Sequence, residues 1–268
     1  MIYKFVDKIV SSIPESNRVE RIWKLAQVDF KKRYYNDNLG LLWALMNPVF
    51  RVLVYYTVFT TVLTRAIEGI ENYALFLFSG LVFWQTFMEV ARRGITLLRT
   101  KKYLIESIRV SKLDLFLSHG LSVLLGFIFN IAILLLVVLV MQQKITIYSL
   151  YLPILIFNTL LFGVGAGMIL AVIHIYFKDI SHITDIAFLI GFWTSGVFFS
   201  GEKILEVFPI LTYLNPMIGV IINVRKILIE GVTIDAQVFW IDLTVASVVF
   251  VIGYYLLTKY SWKFLENI

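Results

Sequence analysis

The sequence predicts an all-α membrane protein: six spanning helices, preceded by an amphipathic helix lying at the membrane surface. Three observations carry this. The 268 residues are 59% hydrophobic, with a mean hydropathy of +0.84, where soluble domains are about 45–50% apolar. Six apolar runs approach or exceed the roughly 20 residues a helix needs to cross hydrocarbon. Their apolar residues lack the period-2 alternation of strands, and helices satisfy their own backbone hydrogen bonds in lipid.

The N-terminal segment carries Lys4, Asp7 and Lys8 and has no long apolar core. It is not expected to be a cleaved signal peptide. From Val19 to Val28 the residues Val19, Ile22, Trp23, Ala26 and Gln27 fall near one helical face, with Arg18, Glu20, Arg21 and Lys24 largely elsewhere. That pattern predicts a helix in the headgroup plane. A basic and aromatic stretch, Asp29-Phe-Lys-Lys-Arg-Tyr-Tyr35, then leads through Trp43 into the first apolar run.

The predicted spans are Leu41–Leu63, Tyr73–Ala91, Leu113–Met141, Leu150–Ile173, Ile183–Ser200 and Phe239–Thr258. Six spans put both termini on one side. That side holds eighteen Lys and Arg against five on the other, with Arg51 inside a span. The imbalance predicts cytoplasmic termini. The whole chain reads as one transmembrane domain: residues 1–38 a cytoplasmic segment, 39–258 the membrane region and 259–268 a cytoplasmic tail.

Between the second and third spans lies Lys101-Lys102-Tyr103-Leu104-Ile105-Glu106-Ser107-Ile108-Arg109. Leu104, Ile105 and Ile108 form an apolar patch between charges, which predicts a short amphipathic helix. In the fourth span, Gly163 and Gly167 have the GxxxG spacing that lets helices approach closely. Past the fifth span, Pro209 and Asn215-Pro216 break the chain into two short apolar pieces, Ile204–Tyr213 and Met217–Ile229. Neither is long enough to span, so both are expected to dip into the outer leaflet.

Several function classes are disfavoured. There is no cysteine, hence no disulfide framework, thiolate metal site or catalytic thiol. No phosphate loop, nucleophile elbow or zincin motif occurs, and no catalytic residue is expected. His174 and His182 flank a charged turn with no third ligand close in sequence, so no metal site is expected. The net charge of +6 sits beside the spans, as topology requires, and no nucleic-acid partner is expected. The third span and most of the sixth read as lacking buried acids or bases, with Asp242 near an outer end. Secondary carriers usually show mid-membrane ionisable groups, so coupled transport is not expected.

The order of a basic amphipathic helix, "DFKKRY", "LGLLWALMNP" and a span resembles the ABC-2 type permeases that export O-antigen, capsule and wall teichoic acid. "YFKDI" at Tyr176–Ile180 is similar to a turn of the same family, as is "YLNP" at Tyr213–Pro216 with Arg225 after it. Val110-Ser111 departs from the family's frequent aromatic-Pro pair. The resemblance implies a homodimer of six-span subunits that takes two copies of a separate ATPase. No cofactor is expected on this chain; ATP-Mg would bind the partner. It also implies that the loop helix is a coupling helix and that the outer pieces form a gate. The expected substrate is an undecaprenyl-diphosphate-linked polysaccharide crossing a bacterial cytoplasmic membrane. Alternatives are an ABC-2 exporter of a drug or simple lipid, or a non-transporting protein of envelope assembly.

Among candidate functional residues, Arg51 is costly in a span, by roughly 2.5–3.5 kcal/mol on insertion scales. It either snorkels or meets the diphosphate of a lipid-linked substrate, with Glu89 a possible partner. Tyr55, Tyr56, Phe59, Phe192, Trp193, Phe198 and Phe199 offer flat apolar faces with polar edges, suited to sliding sugar rings. For the ATPase interface the candidates are Arg21, Trp23, Lys31, Lys101, Lys102, Leu104, Ile105 and Ile108. For the outer gate they are Tyr213, Asn215, Pro216 and Arg225.

Overall fold

A computed structural model describes residues 17–33, 39–40, 42–58, 72–107, 110–143 and 145–260. Phe59, Ile108 and the tail beyond Tyr260 lie outside the described residues, as do the side chains of Tyr55 and Tyr56. Every regular element described is helical: α1 Arg18–Lys32, α2 Leu42–Thr57, α3 Tyr73–Ile95, α4 Leu97–Thr100, α5 Lys102–Ser107, α6 Lys112–Val140, α7 Leu152–Tyr176, α8 Ile180–Thr194, α9 Gly201–Val207, α10 Leu211–Leu214, α11 Met217–Arg225 and α12 Ala236–Tyr260.

α1 starts where the sequence provides a cap. The Asn17 side chain accepts from the amides of Val19 and Glu20 at 3.1 and 3.3 Å, satisfying two donors that a first turn leaves unpaired. Its packing differs from expectation. Leu25 and Ala26 are buried, while Val19 and Trp23 are 76% and 43% exposed. The apolar surface of α1 is therefore split. One side packs on α6, where Phe30 stacks on Phe129 at 6.2 Å between ring centroids, and the other faces outward.

α3, α6, α12 and α7 with the short turn before it are long and apolar enough to cross a membrane. Their burial sorts them. The most apolar stretch of α3 is 78% buried, against 28% for α6 and 22% for α12, so α3 is central and the other two present open apolar sides. α7 lies between α3 and α12 and packs on both. Its glycines make this possible. A β-carbon on Gly94 would meet the Cα of Gly167 at 2.7 Å, and one on Gly165 would meet the backbone of Phe250 at 2.7 Å. Gly163 and Gly167 thus serve the α3 side and Gly165 the α12 side. The GxxxG reading holds, with a second close approach that it did not anticipate.

The remaining predicted spans are shorter. α2 covers residues 42–57, and residues 59–63 of the predicted first span lie outside the described residues. α8 has 15 residues, a rise of about 22 Å. It ends in a turn where Gly196 adopts φ +77°. The outer pieces also differ from the prediction. Pro209 has no backbone donor, and the first piece divides into α9 and α10 around it. These two are largely exposed, with Val207, Phe208, Ile210 and Leu214 open. α11 is buried along its whole length.

Candidate functional site

Polar residues four apart on two helices, and one from a third, converge on one cavity. On α2 they are Asn47 and Arg51, on α3 Gln85, Glu89 and Arg93, and on α6 Asn130, one turn after Gly126. Together with Arg33, Trp43 and Thr86 they line a space of about 690 Å³, within the roughly 300–1,000 Å³ usual for ligand sites. It opens near the end of the bundle that carries α1, α4 and α5.

The electrostatics of this cavity are unbalanced. Three guanidinium groups, from Arg33, Arg51 and Arg93, line it against one carboxylate, Glu89. Glu89 accepts from Arg33 at 2.6 Å and pairs with Arg93 at 3.3 Å. Arg51 has no carboxylate within ion-pair distance among the described residues. Glu89, one possible partner for Arg51, pairs instead with Arg93 four residues on and with Arg33. Arg33 also donates to Ser122 at 3.2 Å. The polar lining gives Arg51 an environment that lipid would not.

α3 separates this cavity from a smaller one. Trp84, Gln85, Met88, Phe188, Leu189 and Phe192 line about 420 Å³ on the α8 side, with Arg92 and Asp185 paired at 3.0 Å at its end. Gln85 and Met88 border both spaces. Of the aromatic candidates, Phe192 lies 6.1 Å from Trp84 and meets Phe198 edge-on at 5.1 Å. Trp193 stacks on Phe198 at 4.8 Å. Trp193 and Phe199 are about half exposed. Phe192, Trp193 and Phe198 form one connected set at the end of α8.

The basic end is tied together by ion pairs. Asp114, in the first turn of α6, has a fully buried side chain and binds Arg18 at 2.8 Å and Arg21 at 2.7 Å. Asp29 pairs with Lys101. Arg21 and Lys101 are thus engaged within the chain, holding α1 to the body and to the loop that carries α5. Burial and the nearby Lys101 charge hold the Lys32 amine below its ordinary range. Lys31 and Trp23 remain exposed. On α5, Lys102 pairs with Glu106 at 3.6 Å. Leu104 and Ile105 turn inward against a cluster built on Leu25, Leu98 and Leu115, so the outward face of α5 is Tyr103 and Glu106. Leu104 and Ile105 are thus half-buried by packing within the chain, and Ile108 lies outside the described residues.

The reading that α6 and α12 lack buried ionisable groups is also corrected. Asp114 and His119 are buried in α6, and Asp242 in α12 is 2% exposed. Asp114 is matched by two arginines at a helix end. Asp242 presses on α11, where a β-carbon on Gly219 would lie 2.1 Å from its Oδ2.

At the opposite end, Arg225, a candidate of the predicted outer gate, is buried. Its guanidinium donates to the carbonyls of Phe76, Gly196, Val197 and Phe199 at 2.6–3.3 Å. It thereby joins α11, α3 and the turn after α8. Asn215 donates to the Gly191 carbonyl at 3.4 Å, Pro216 precedes α11, and Tyr213 is exposed.

The profile of the ABC-2 type transporter family matches residues 20–229. The chain belongs to this family. This ABC-2 permease is 24% identical over 240 residues to an O-antigen export system permease protein of Klebsiella pneumoniae, covering 89% of this chain and 91% of that one. It is 27% identical over 215 residues to the corresponding protein of Myxococcus xanthus, covering 80% and 82%. To the polysialic acid transport protein KpsM of Escherichia coli it is 21% identical over 204 residues, covering 76% and 79%. The permease is a multi-pass membrane protein by its apolar helices and its family. The cavity residues could have been found in the sequence as polar ladders inside apolar runs. Gln85, Glu89 and Arg93 share one face of α3, a pattern that apolar counting passes over. Arg33 left no such trace, because only the docking of α1 brings it beside Glu89.

Proposed function

We propose that this ABC-2 permease is the membrane subunit of an ATP-driven exporter. It moves an undecaprenyl-diphosphate-linked polysaccharide, of the O-antigen, capsule or teichoic acid kind, across the bacterial cytoplasmic membrane. It works as a homodimer with two copies of an ABC ATPase, both termini lying in the cytoplasm. The observation that carries this reading is the arginine-rich cavity at the basic end. Guanidinium groups bind phosphate through paired, charge-assisted hydrogen bonds, and three of them around one carboxylate leave capacity for a further anion. The similarity to O-antigen and polysialic acid export proteins supports the glycan part.

In this reading the diphosphate enters the cavity from the inner leaflet, where Arg51 contacts it. The ATPase, on closing over ATP, displaces α1 and the α5 loop. The glycan passes along the aromatic set at the end of α8 and along Tyr55, Tyr56 and Phe59 of the predicted first span, where flat rings guide sugars without holding them.

The test is export in inverted vesicles holding permease and ATPase. Arg51→Leu is expected to assemble normally and to lower glycan transport about tenfold or more, the loss of one charge-assisted contact. Unchanged transport by an assembled Arg51→Leu complex refutes the role of this cavity.

A further inference from the structure

Glu89 occupies the place an anionic ligand would take. It accepts from Arg33 at 2.6 Å and faces Arg93 at 3.3 Å, in a cavity that also contains Arg51. Arg33 is not a residue of the membrane bundle. It is the C-terminal cap of α1, its amide bonded to the Phe30 carbonyl at 3.2 Å. The Arg33–Glu89 contact is therefore a direct mechanical link between the cavity and the surface helix.

We propose that this contact senses the substrate: a phosphate group entering the cavity takes Arg33 over from Glu89, and α1 shifts in response. This rests on the phosphate reading of the cavity and adds its regulation. Phosphate and carboxylate compete for the same guanidinium fork, and two anions in one partly dry site repel, so Glu89 cannot keep its grip once phosphate is bound. The rest of α1 is positioned to carry the shift. Its first turn is held by Asp114 through Arg18 and Arg21, and its last turns by Asp29 with Lys101 and by Arg33 with Glu89. Moving Arg33 from Glu89 to phosphate leaves the start of α1 anchored at Asp114. Its end follows Arg33, turning on its contacts with Ser122 and, through Phe30, with Phe129, and Asp29 with Lys101 transmits that movement to the α5 loop. A ligand changes an equilibrium only through its different affinity for two states, and here the difference is which anion Arg33 binds.

The absence of cysteine makes a distance measurement simple. The permease carrying Gln27→Cys on α1 and Ile128→Cys on α6, both exposed positions, is spin-labelled and reconstituted with its ATPase in nanodiscs. Undecaprenyl diphosphate is the probe and undecaprenol the neutral control. Probe binding, the label distance and ATP hydrolysis are read together. The diphosphate is expected to change the distance and to stimulate hydrolysis about fivefold or more, and the alcohol to do neither. Glu89→Gln should show the shifted distance without probe, and Arg33→Gln, which removes one guanidinium from the site, should bind probe more weakly and show no stimulation even when saturated with probe. If both variants bind the diphosphate and respond to it as the unsubstituted permease does, the sensing role is wrong and the phosphate site stands. If the unsubstituted permease fails to bind the diphosphate, the phosphate site and the sensing role fall together.

Discussion

The guanidinium carbon of Arg225 sits 3.3 Å from the ring centroid of Phe76, and the same guanidinium donates to the Phe76 backbone carbonyl from Nε at 3.2 Å and Nη2 at 3.0 Å. One residue thus clasps another by ring and backbone together. The side chain also collects the carbonyls left open where α8 ends. The planar fork suits this, since its donors point in fixed and separate directions.

Replacing Arg225 should therefore be severe. Arg225→Lys keeps the charge but offers a compact ammonium that cannot span all four carbonyls. Buried unsatisfied acceptors cost about 1–3 kcal/mol each. Arg225→Met, which orphans all of them, should lose at least about 3 kcal/mol on that basis, with Arg225→Lys between it and the parent. Thermal unfolding in detergent measures the order, and the same result for Lys and Arg would refute the geometric account.

Asp114→Asn removes the carboxylate that both Arg18 and Arg21 grip. Arg18 is more than half exposed and is discounted for screening, so the loss comes chiefly through Arg21. Breaking a buried pair while leaving its partner costs about 3–5 kcal/mol. The expected local result is that the start of α1 loosens from α6. Hydrogen exchange over residues 18–26 should rise in Asp114→Asn, and much less in Arg18→Gln.

The glycines of α7 divide by what surrounds them. Gly165→Val drives a side chain into the backbone of Val249 and Phe250, which cannot move aside like a flexible side chain. Overpacking of this kind costs about 1–3 kcal/mol or more, and little folded permease should be recovered. Gly126→Ala on α6 is the contrast. Its β-carbon would meet Phe30 at 3.7 Å, an ordinary contact. Replacing a mid-helix glycine by alanine gains about 0.5–1 kcal/mol, so this variant should melt higher than the parent.

Asp235 predicts a pH effect in the connection between α11 and α12. The Val238 amide, and after it Lys226, holds its carboxyl below the usual range, against the opposing effect of burial. A depressed carboxylate contributes stability that is present above its unfolded value, about 3.9, and lost as pH falls through the folded one. The connection between α11 and α12 should therefore hold near neutral pH and weaken in acid below about pH 4. Melting curves across this range should converge for the parent and Asp235→Asn at low pH and separate as pH rises.

Much of the architecture was legible from residue type alone. Apolar runs longer than a strand announced the helices of the bundle, because a chain in lipid must satisfy its backbone within each segment. Gly163 with Gly167 marked a close helix pair. The division of the first outer piece at Pro209 was less clear, since proline announces a break without saying what lies on either side. Harder still were Leu104 and Ile105. Periodicity shows that a helix has an apolar face, but not whether that face meets the chain's own core or a partner.

The sequence by itself determined a helical membrane protein of the ABC-2 kind, with its basic residues gathered at one end and no enzyme motif. These are properties of composition, spacing and order, which hold whatever the packing. Only the tertiary structure decided that Arg33 meets Glu89, that Asp114 gathers Arg18 and Arg21, and that Arg225 is buried among carbonyls. Each of these joins residues far apart in the chain, and electrostatic pairing acts over a few ångströms of space, not over any count of residues.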